Sequence, residues 1–374
     1  MLSEISTRLR SVLRGSDTLA RIGGDEFVIV SETSASQEVQ TEAPIRLAER
    51  VQAVVCQPIS VGDTKVEVGA SIGIALCPAD GNEADLILRA ADIAMYRAKQ
   101  AGRGSFRFYE QSMDTELRAR AALEADVRRA VSEGHIQPYY QPLMDLRSGK
   151  HLGFEILARW SAPGKGFVPP TTFIPIIEHL GLISEFTLGL LRQACRDAKH
   201  WSPELTLSLN VSPLELTDPL FPVRLLSVLS ECGFPPPRLE IEITENALVT
   251  DLETAKSNLT SLQKFGIKIA LDDFGTGYSS LYHLRELHLD KIKIDRSFIQ
   301  SINENPESLK LVNAILGLAK SLALPTTAEG IEDADVLAQM SNAGVDIGQG
   351  YYFSQALPAA AATAWMEGET RRAA

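Results

Sequence analysis

The 374-residue sequence lacks several features that would place it in a special class of proteins. It has no hydrophobic run long enough to span a membrane, no low-complexity tract, and no basic or apolar leader at Met1 to Glu4. Its formal net charge is -12, which argues against the clustered Lys and Arg that bind nucleic acid polymers or anionic membranes. These absences predict a cytoplasmic protein without a membrane segment. The sequence leaves open that a segment upstream of it attaches the protein to a membrane.

Cysteine is scarce, and its four positions show no paired metal-ligand spacing: Cys56, Cys77, Cys195 and Cys232. The sequence therefore predicts buried, reduced thiols and no zinc site. The remaining composition is ordinary for a globular protein, with 45% hydrophobic and 22% charged residues. The length predicts two domains, or one large domain with a smaller companion.

Residues 1–109 combine helical and strand patterns, which indicates an α+β unit. Two short apolar runs flank Gly23-Gly24-Asp25-Glu26, a hairpin pattern. The other elements predicted here are a helix from Leu2, a helix over Ala43 to Cys56, one strand over Lys65 to Ala75 and a helix over Ala90 to Lys99. Residues 110–134 have apolar positions at helical spacing among many charges, which predicts a linker helix.

Residues 135–374 alternate apolar strand-like runs with amphipathic helical segments, which predicts a parallel sheet with helical crossovers. Eight strands are predicted: Gln137 to Leu143, His151 to Arg159, Leu205 to Val211, Leu239 to Thr244, Ile267 to Asp272, Lys291 to Asp295, Pro325 to Glu329 and Asp346 to Phe353. Their number and alternation indicate an α/β fold, a TIM-like (β/α)8 barrel. In such barrels the chemistry collects at the carboxyl ends of the strands.

The chain is organised around one of these ends, the stretch from Leu271 to Ser280. Side chains alternate along a strand, so Asp272 and Asp273 can face one object only where the backbone turns, and the glycines that follow supply that turn. Two adjacent carboxylates repel each other unless cations neutralise them, and divalent metals prefer oxygen ligands. The alternative is that one aspartate caps the next helix and the other is solvated.

Polar residues at the other predicted strand ends complete a ring: Glu155, Asn210, Glu242, Lys293, Glu329 and Gln349. Each alone has an ordinary explanation, such as a solvated strand residue for Glu155, a cap for Asn210 or an exposed edge charge for Lys293. Coincidence at seven successive strand ends is a poor explanation. Carboxylates buried at the mouth of a barrel need counter-charge, and five of them with one lysine predict bound metal.

Residues 136–358 resemble an EAL cyclic di-GMP phosphodiesterase domain nearly from end to end. The resemblance rests on these motifs: Tyr140-Gln141-Pro142, Glu155-Ile156-Leu157-Ala158-Arg159-Trp160, Phe173-Ile174-Pro175, Asn210-Val211-Ser212, Glu242-Ile243-Thr244-Glu245, Asp272 through Ser280, Lys293-Ile294-Asp295, Ala328 through Glu332 and Gln349-Gly350-Tyr351. The signature triplet is Glu-Ile-Leu in place of Glu-Ala-Leu, and Ala158 replaces the usual leucine. Neither change touches a predicted ligand, since Ile156 should point away from Glu155.

The resemblance implies metal-dependent hydrolysis of cyclic di-GMP to linear pGpG with two ions, Mg²⁺ or Mn²⁺. It implies metal ligands at Glu155, Asn210, Glu242, Asp272, Asp273 and Glu329, with Asp272 shared by both ions. Glu329 is the expected general base, and Lys293 is expected to hold or polarise the attacking water. Substrate contacts are expected from Gln141, Leu157, Arg159 and Gln349.

The resemblance also implies an anchor for the loop after Asp273, formed by Glu245, Asp273 and Ser279. Glu245 would accept hydrogen bonds from the loop, and the loop would couple to a homodimer interface of the EAL domain. The alternative for Glu245 is a cap on the helix after its strand. Two rival functions stay open: a catalytically silent cyclic di-GMP receptor, although no metal ligand is lost, and an unrelated metal-dependent lyase barrel, which leaves the full motif set unexplained.

Residues 1–109 resemble the second half of a GGDEF diguanylate cyclase domain, through Gly23 to Phe27, Ala70 to Ala75 and Ala91 to Lys99. The family's first strand, with its metal-binding aspartate, and its base-binding segment have no counterpart here. Asp25 thus lacks its metal-sharing partner, and no cyclase activity is expected. Arg14 and Asp17 stand where that family carries its Arg-x-x-Asp inhibitory site, with a surface ion pair as the alternative.

Overall fold

The computed structural model describes residues 1–32, 37–61, 64–102, 104–245, 251–275, 287–303 and 305–372. The chain divides into two compact units, Met1–Leu123 and Glu124–Ala374. We refer to them as the N-terminal unit and the C-terminal unit. None of the helices in the described part is long and apolar enough to cross a bilayer.

The N-terminal unit is an α+β unit, with a core in which Ile5 and Leu9 of the first helix pack against Val51 and Val55 of the second. Its helices are α1 (Leu2–Ser11), α2 (Gln37–Val55) and α3 (Ala84–Gln100). Its strands are β1 (Thr18–Gly23), β2 (Glu26–Val30), β3 (Ile59–Val61), β4 (Thr64–Val66), β5 (Ile72–Ile74) and β6 (Phe106–Phe108).

The strands of this unit pair two by two. Strands β1 and β2 form the predicted antiparallel hairpin, with Gly24 at a φ of 51° in its turn. The prediction of one strand over Lys65 to Ala75 is wrong. Strand β4 pairs back onto β3, whereas β5 runs parallel to β6, so the chain leaves one pair between Val66 and Ile72 before it joins the next.

Helix α4 covers Gln111–Ser132, within the range predicted for a linker helix. The boundary between the two units falls inside it, after Leu123. In its first part, Asp114 and Glu116 form ion pairs with Arg89 and Arg97 of α3. In its second part, Val127 and Ala130 are buried.

The C-terminal unit contains the remaining strands and helices. Its strands are β7 (Ile136–Asp145), β8 (His151–Ala162), β9 (Gly166–Val168), β10 (Thr206–Asn210), β11 (Leu239–Thr244), β12 (Lys268–Phe274), β13 (Lys291–Ile294), β14 (Thr326–Ala328), β15 (Ile347–Gly348) and β16 (Leu357–Pro358). Its helices are α5 (Pro170–His179), α6 (Ile183–Asp197), α7 (Pro213–Leu216), α8 (Phe221–Cys232), α9 (Leu252–Gln263), α10 (Arg296–Gln300), α11 (Pro306–Ser321), α12 (Ala334–Ala343) and α13 (Ala359–Arg372).

Eight of these strands close into the predicted TIM-like barrel, in the order β7, β8, β10, β11, β12, β13, β14, β15 and back to β7. The prediction of an all-parallel sheet is wrong for β7, which runs antiparallel to both β8 and β15. Residues 146–150 alone join β7 to β8, and a parallel crossover needs about a dozen residues. The short connection therefore fixes β7 and β8 as a hairpin.

Two further predictions about this chain are corrected. The strand predicted over Asp346 to Phe353 is limited to Ile347–Gly348, because the chain turns after Gly350, whose carbonyl oxygen accepts from the Phe353 and Ser354 amides. Of the four cysteines, all of them free thiols, Cys195 is buried and Cys232 is half-buried. Cys56 and Cys77 are exposed, so the prediction of buried thiols fails for them.

Candidate active site

Lys293 lies at the centre of the barrel, and its side chain is 1% exposed. Its Nζ lies 2.6 Å from Glu242 Oε2 and 2.6 Å from Glu329 Oε1. Asp272 Oδ1 lies at 3.2 Å and Glu155 Oε1 at 3.9 Å. Lys293 is therefore the shared counter-ion of four carboxylates, which excludes the exposed edge charge considered from the sequence.

Strand alternation explains why these side chains meet, because every second residue of a barrel strand faces the interior. Asn210 of β10 pairs in register with Glu242 of β11, and Ser208 pairs with Glu155 of β8. Asn210 Nδ2 donates to Glu155 Oε1 at 2.7 Å. Contrary to the prediction, Glu155 lies within β8 and not at its end, so it belongs to the barrel interior below the rim.

The sequence left open that Asn210 serves as a helix cap, but in the structure another residue caps the helix that follows. Ser212 is the residue that caps α7, and it shares a capping box with Glu215. Asn210, at the last position of β10, is left to hold Glu155.

Asp272, Asp273 and Glu329 form a compact acidic cluster, in which one oxygen from each lies within 4.8 Å of the others. The turn that brings the two aspartates together begins at Asp273 itself, which has a φ of 54°. The sequence placed this turn at the glycines that follow, which was wrong by two residues. The pairing of β12 with β13 is irregular between Leu271 and Phe274, so the strand bends at the cluster.

The electrostatics of the site favour added positive charge. Burial, aided by the nearby acids, raises the pKa of Glu329 to about 8 and that of Asp273 to about 6. Burial also raises the pKa of Glu242 well above its ordinary value. Burial by itself would lower the pKa of Lys293, but the carboxylates around it, Asp272 first, raise it well above the usual range. A permanently charged lysine thus neutralises only part of the acidic charge.

The residues present fit divalent cations. The side chains that surround Lys293 offer carboxylate and amide oxygens, the ligands that Mg²⁺ and Mn²⁺ prefer. Within the described part of the chain, Glu242 Oε1 and Gln349 Oε1 are buried without a hydrogen-bond partner. A buried acceptor without a donor is costly, and a bound cation would remove that cost. The residues able to hold one are Glu155, Asn210, Glu242, Asp272, Asp273 and Glu329.

The residues predicted to contact substrate are placed in two groups. Gln349 Nε2 donates to Gln141 Oε1 at 3.0 Å and also bonds to Glu155, which ties both glutamines to the acidic site. Leu157 and Arg159 continue the interior face of β8 two and four residues beyond Glu155. Arg159 is half-buried, and its Nη1 donates to the carbonyl oxygen of Ala158 at 3.0 Å.

Glu245 contacts the segment that follows the acidic cluster. Its side chain accepts a hydrogen bond from the Gly275 amide at 3.0 Å, and the residue is 5% exposed. The next described helix, α9, is capped by Asp251, which accepts from the Thr254 amide. The contact with Gly275 is the one that a loop anchor predicts, whereas residues 246–250, where a helix capped by Glu245 would begin, lie outside the described residues. Ser279, the other predicted anchor, lies outside the described residues.

In the N-terminal unit, the predicted inhibitory pair forms a local turn. Asp17 accepts from the Arg14 backbone amide at 2.7 Å and from Ser31 Oγ at 2.7 Å. These hydrogen bonds lower the pKa of Asp17. Asp25 and Glu26, at the turn between β1 and β2, are exposed.

One buried charge pair was missed from the sequence. Lys291 Nζ lies 2.7 Å from Glu240 Oε2, and Ser208 Oγ donates to Glu240 Oε1 at 3.0 Å. The signal was present, because Glu240 precedes Glu242, and Lys291 precedes Lys293, by the two-residue strand period.

A closed α/β barrel whose interior presents an acidic cluster around one lysine is a barrel that could hold divalent cations. The family model of the EAL domain matches residues 124–356, which is more than half of the chain, so the protein belongs to this family. The model described as "Diguanylate cyclase, GGDEF domain" matches residues 1–105. Both resemblances seen in the motifs are thereby confirmed.

Two relatives match the sequence of this chain over nearly its whole length. It is 38% identical over 98% of its length to an uncharacterised signalling protein of Caulobacter vibrioides, and it covers 45% of that protein. It is 33% identical over its full length to the cyclic di-GMP phosphodiesterase PdeR of Escherichia coli, and it covers 56% of PdeR. The chain thus spans about half the length of these relatives.

A solved structure described as the PaMucR phosphodiesterase in complex with c-di-GMP has a TM-score of 0.62 and 30% sequence identity. The match covers 64% of this chain and 99% of that one.

Proposed function

We propose that the C-terminal unit hydrolyses cyclic di-GMP to linear pGpG and uses two divalent ions, Mg²⁺ or Mn²⁺. The observation that carries this proposal is the acidic cluster of Asp272, Asp273 and Glu329 beside Lys293, at the carboxyl ends of the barrel strands. Membership of the EAL family supports the substrate, as do the printed names of PdeR and of the PaMucR complex.

The oxygen ligands divide around Asp272. In the strand order of the barrel, Glu155, Asn210 and Glu242 precede it, and Asp273 and Glu329 follow it. Asp272 is the residue proposed to serve both ions. Bound ions would promote ionisation of a water molecule and stabilise the charge on the attacking and leaving oxygens.

Lys293 and Glu329 are proposed to orient and deprotonate the attacking water. Lys293, held in its protonated form by the surrounding acids, would orient the attacking water and keep the carboxylates in place. The carboxylate of Glu329 would accept the proton of that water, since it lies in the acidic cluster and contacts Lys293, the residue proposed to orient the water.

The two glutamines and the outer part of β8 are proposed to hold the dinucleotide. Gln141 and Gln349, bonded to each other, would orient it next to the ligands. Leu157 would contact it through an apolar surface, and Arg159 would place its guanidinium on a phosphate.

The test is to incubate the purified chain with cyclic di-GMP and Mg²⁺ or Mn²⁺ and to identify the product by chromatography. We expect pGpG, and we expect its formation to stop on chelation of the metal. A chain that binds the dinucleotide but forms no pGpG would be a receptor, and the proposal would be wrong.

Two wider properties are also proposed. A cytoplasmic location would place the chain with its nucleotide substrate, and the chain would form a homodimer through the EAL domain. Sedimentation at several protein concentrations would test the dimer.

A further inference from the structure

A second charge pair lies inside the barrel, one layer away from the acidic site. Lys291 Nζ contacts both oxygens of Glu240, at 2.8 and 2.7 Å, and Ser208 Oγ adds a third contact to the same carboxylate. The side chains of Lys291 and Glu240 are 12% and 5% exposed. Such a pair is costly to bury and costlier to break, because removal of one partner leaves an uncompensated charge.

This pair repeats the one above it on the same two strands. Glu240 and Glu242 lie two residues apart on β11, and Lys291 and Lys293 two residues apart on β13. Two residues of strand span about 7 Å, and side chains with this spacing share a face. The intervening strand β12 presents Ala270, in register with both Glu242 and Lys291, and its small side chain leaves room for the lysine to cross.

The pair of Lys293 with Glu242 and the pair of Lys291 with Glu240 differ in the number of carboxylates that contact the lysine. Lys293 is shared by four carboxylates, whereas the described contacts of Lys291 go to Glu240. Without Glu240, a positive charge would remain about 7 Å beneath the residues that hold the ions. At that distance inside a protein, one charge changes the energy of another by more than the thermal energy.

We propose that Glu240 is a positioning residue. It neutralises the positive charge of Lys291 beneath the metal site, and so prevents that charge from repelling the divalent ions. Ser208 holds the carboxylate in place for this role. The inference rests on the proposed metal site and deepens it, because it adds a determinant of metal affinity that is not itself a ligand.

The experiment measures Mn²⁺ binding by the full chain, without substrate, from the electron paramagnetic resonance signal of free Mn²⁺. Glu240→Gln leaves the lysine charge behind, and we expect the dissociation constant for Mn²⁺ to rise about 10-fold. Lys291→Met removes the cation and should not weaken binding. The double variant Glu240→Gln/Lys291→Met should return to within about 3-fold of the wild type.

A pair that serves only to brace the strands predicts a different pattern. Both single variants would then weaken Mn²⁺ binding alike, in parallel with a loss of thermal stability, and the double variant would stay weak. That pattern would overturn the proposal, as would a wild-type chain that binds no Mn²⁺. If Glu240→Gln fails to fold, Lys291→Met and the double variant still separate the two explanations, since only a brace predicts that both are weakened.

A matched control is Asp126→Asn, which leaves Lys165 without its partner outside the barrel, and it should change the constant less than about 2-fold. Because no step of the measurement uses cyclic di-GMP, the result is independent of turnover. A chain with the expected binding pattern but no hydrolysis would refute the proposed function and leave this inference standing.

Discussion

The two units of the chain both carry acidic motifs, but these motifs differ in their burial and in the charges around them. In the C-terminal unit, carboxylates from several strands surround Lys293 and are largely buried. In the N-terminal unit, Asp25 and Glu26 are exposed at the turn of a two-stranded hairpin. A closed barrel brings distant strand ends to one rim, whereas separate strand pairs give each acid only its local neighbours.

The difference shows that an acidic motif becomes a site through the sheet that carries it. Burial in the barrel is the largest cause that raises the pKa of Glu329 to about 8, and Asp272 and Glu155 raise it further. Strongly perturbed pKa values of this kind cluster at functional sites. The predictions below test this contrast, from the largest expected effect to the smallest.

Asp272→Asn should lower pGpG formation by about 10³-fold or more, since loss of a ligand shared by both ions removes several kcal/mol of stabilisation. The fold should persist, because asparagine can still accept the hydrogen bond from the Asp273 amide. Turnover and thermal melting, measured together, check both statements.

Asp346→Asn is the matched control for this change, since Asp346 bonds the Thr326 amide at the opposite end of a barrel strand and should affect stability without abolishing turnover. Near-wild-type activity of Asp272→Asn would contradict the two-metal mechanism.

Glu245→Ala should weaken turnover or metal affinity by roughly 10- to 100-fold with little change in melting temperature, because it removes the partner of the Gly275 amide next to the cluster. Initial rates at varied Mg²⁺ concentrations test this effect. Unchanged rates with a lowered melting temperature would mean that Glu245 serves stability alone. Such a result would also remove the reason to link this loop to a dimer.

The pH dependence of metal binding should follow the raised pKa values. A carboxyl whose pKa is higher in the folded than in the unfolded state stabilises the metal-free fold at low pH, and this contribution is lost as pH rises through the folded pKa. Metal binding requires the deprotonated form, so the dissociation constant for Mn²⁺ should fall by about 10-fold between pH 6 and pH 7 and continue to fall up to pH 8, across the pKa values of Asp273 and Glu329.

Glu329→Gln should flatten the upper part of this pH profile. Glu215→Gln is the matched control, because burial also raises the pKa of Glu215 to about 8 but its hydrogen bonds go to Thr187 and the Ser212 amide. An equally flattened profile in both variants would show that the effect does not come from the metal site.

Asp25→Asn should change pGpG formation by less than about 2-fold, because this exposed hairpin residue belongs to the unit proposed to have no catalytic role. The Asp272→Asn chain should likewise form no cyclic di-GMP from GTP and Mg²⁺. Detection of that product would show that the GGDEF-like unit is active and that the contrast between the units is wrong.

The barrel could be predicted because its strands are apolar, short and separated by amphipathic helices, and because residues such as Asn210, Glu242 and Asp272 lie in the carboxyl-terminal part of those strands. The antiparallel β7 was missed, although residues 146–150 are too few for a crossover. The turn at Asp273 could not be foreseen, because a positive φ at a residue other than glycine is adopted only where the surrounding structure enforces it.

By itself, the sequence determined which residues could bind cations and on which face of each strand they lie. Both follow from local properties, namely the side-chain chemistry and the alternation of side chains between the two faces of a strand. Only the tertiary structure decided that four carboxylates share Lys293 and that Glu240 pairs with Lys291 across β12. It also decided that Asp25 remains exposed. Contacts between strands distant in sequence depend on how the sheet closes, and burial and charge then act on each group through neighbours that no local pattern specifies.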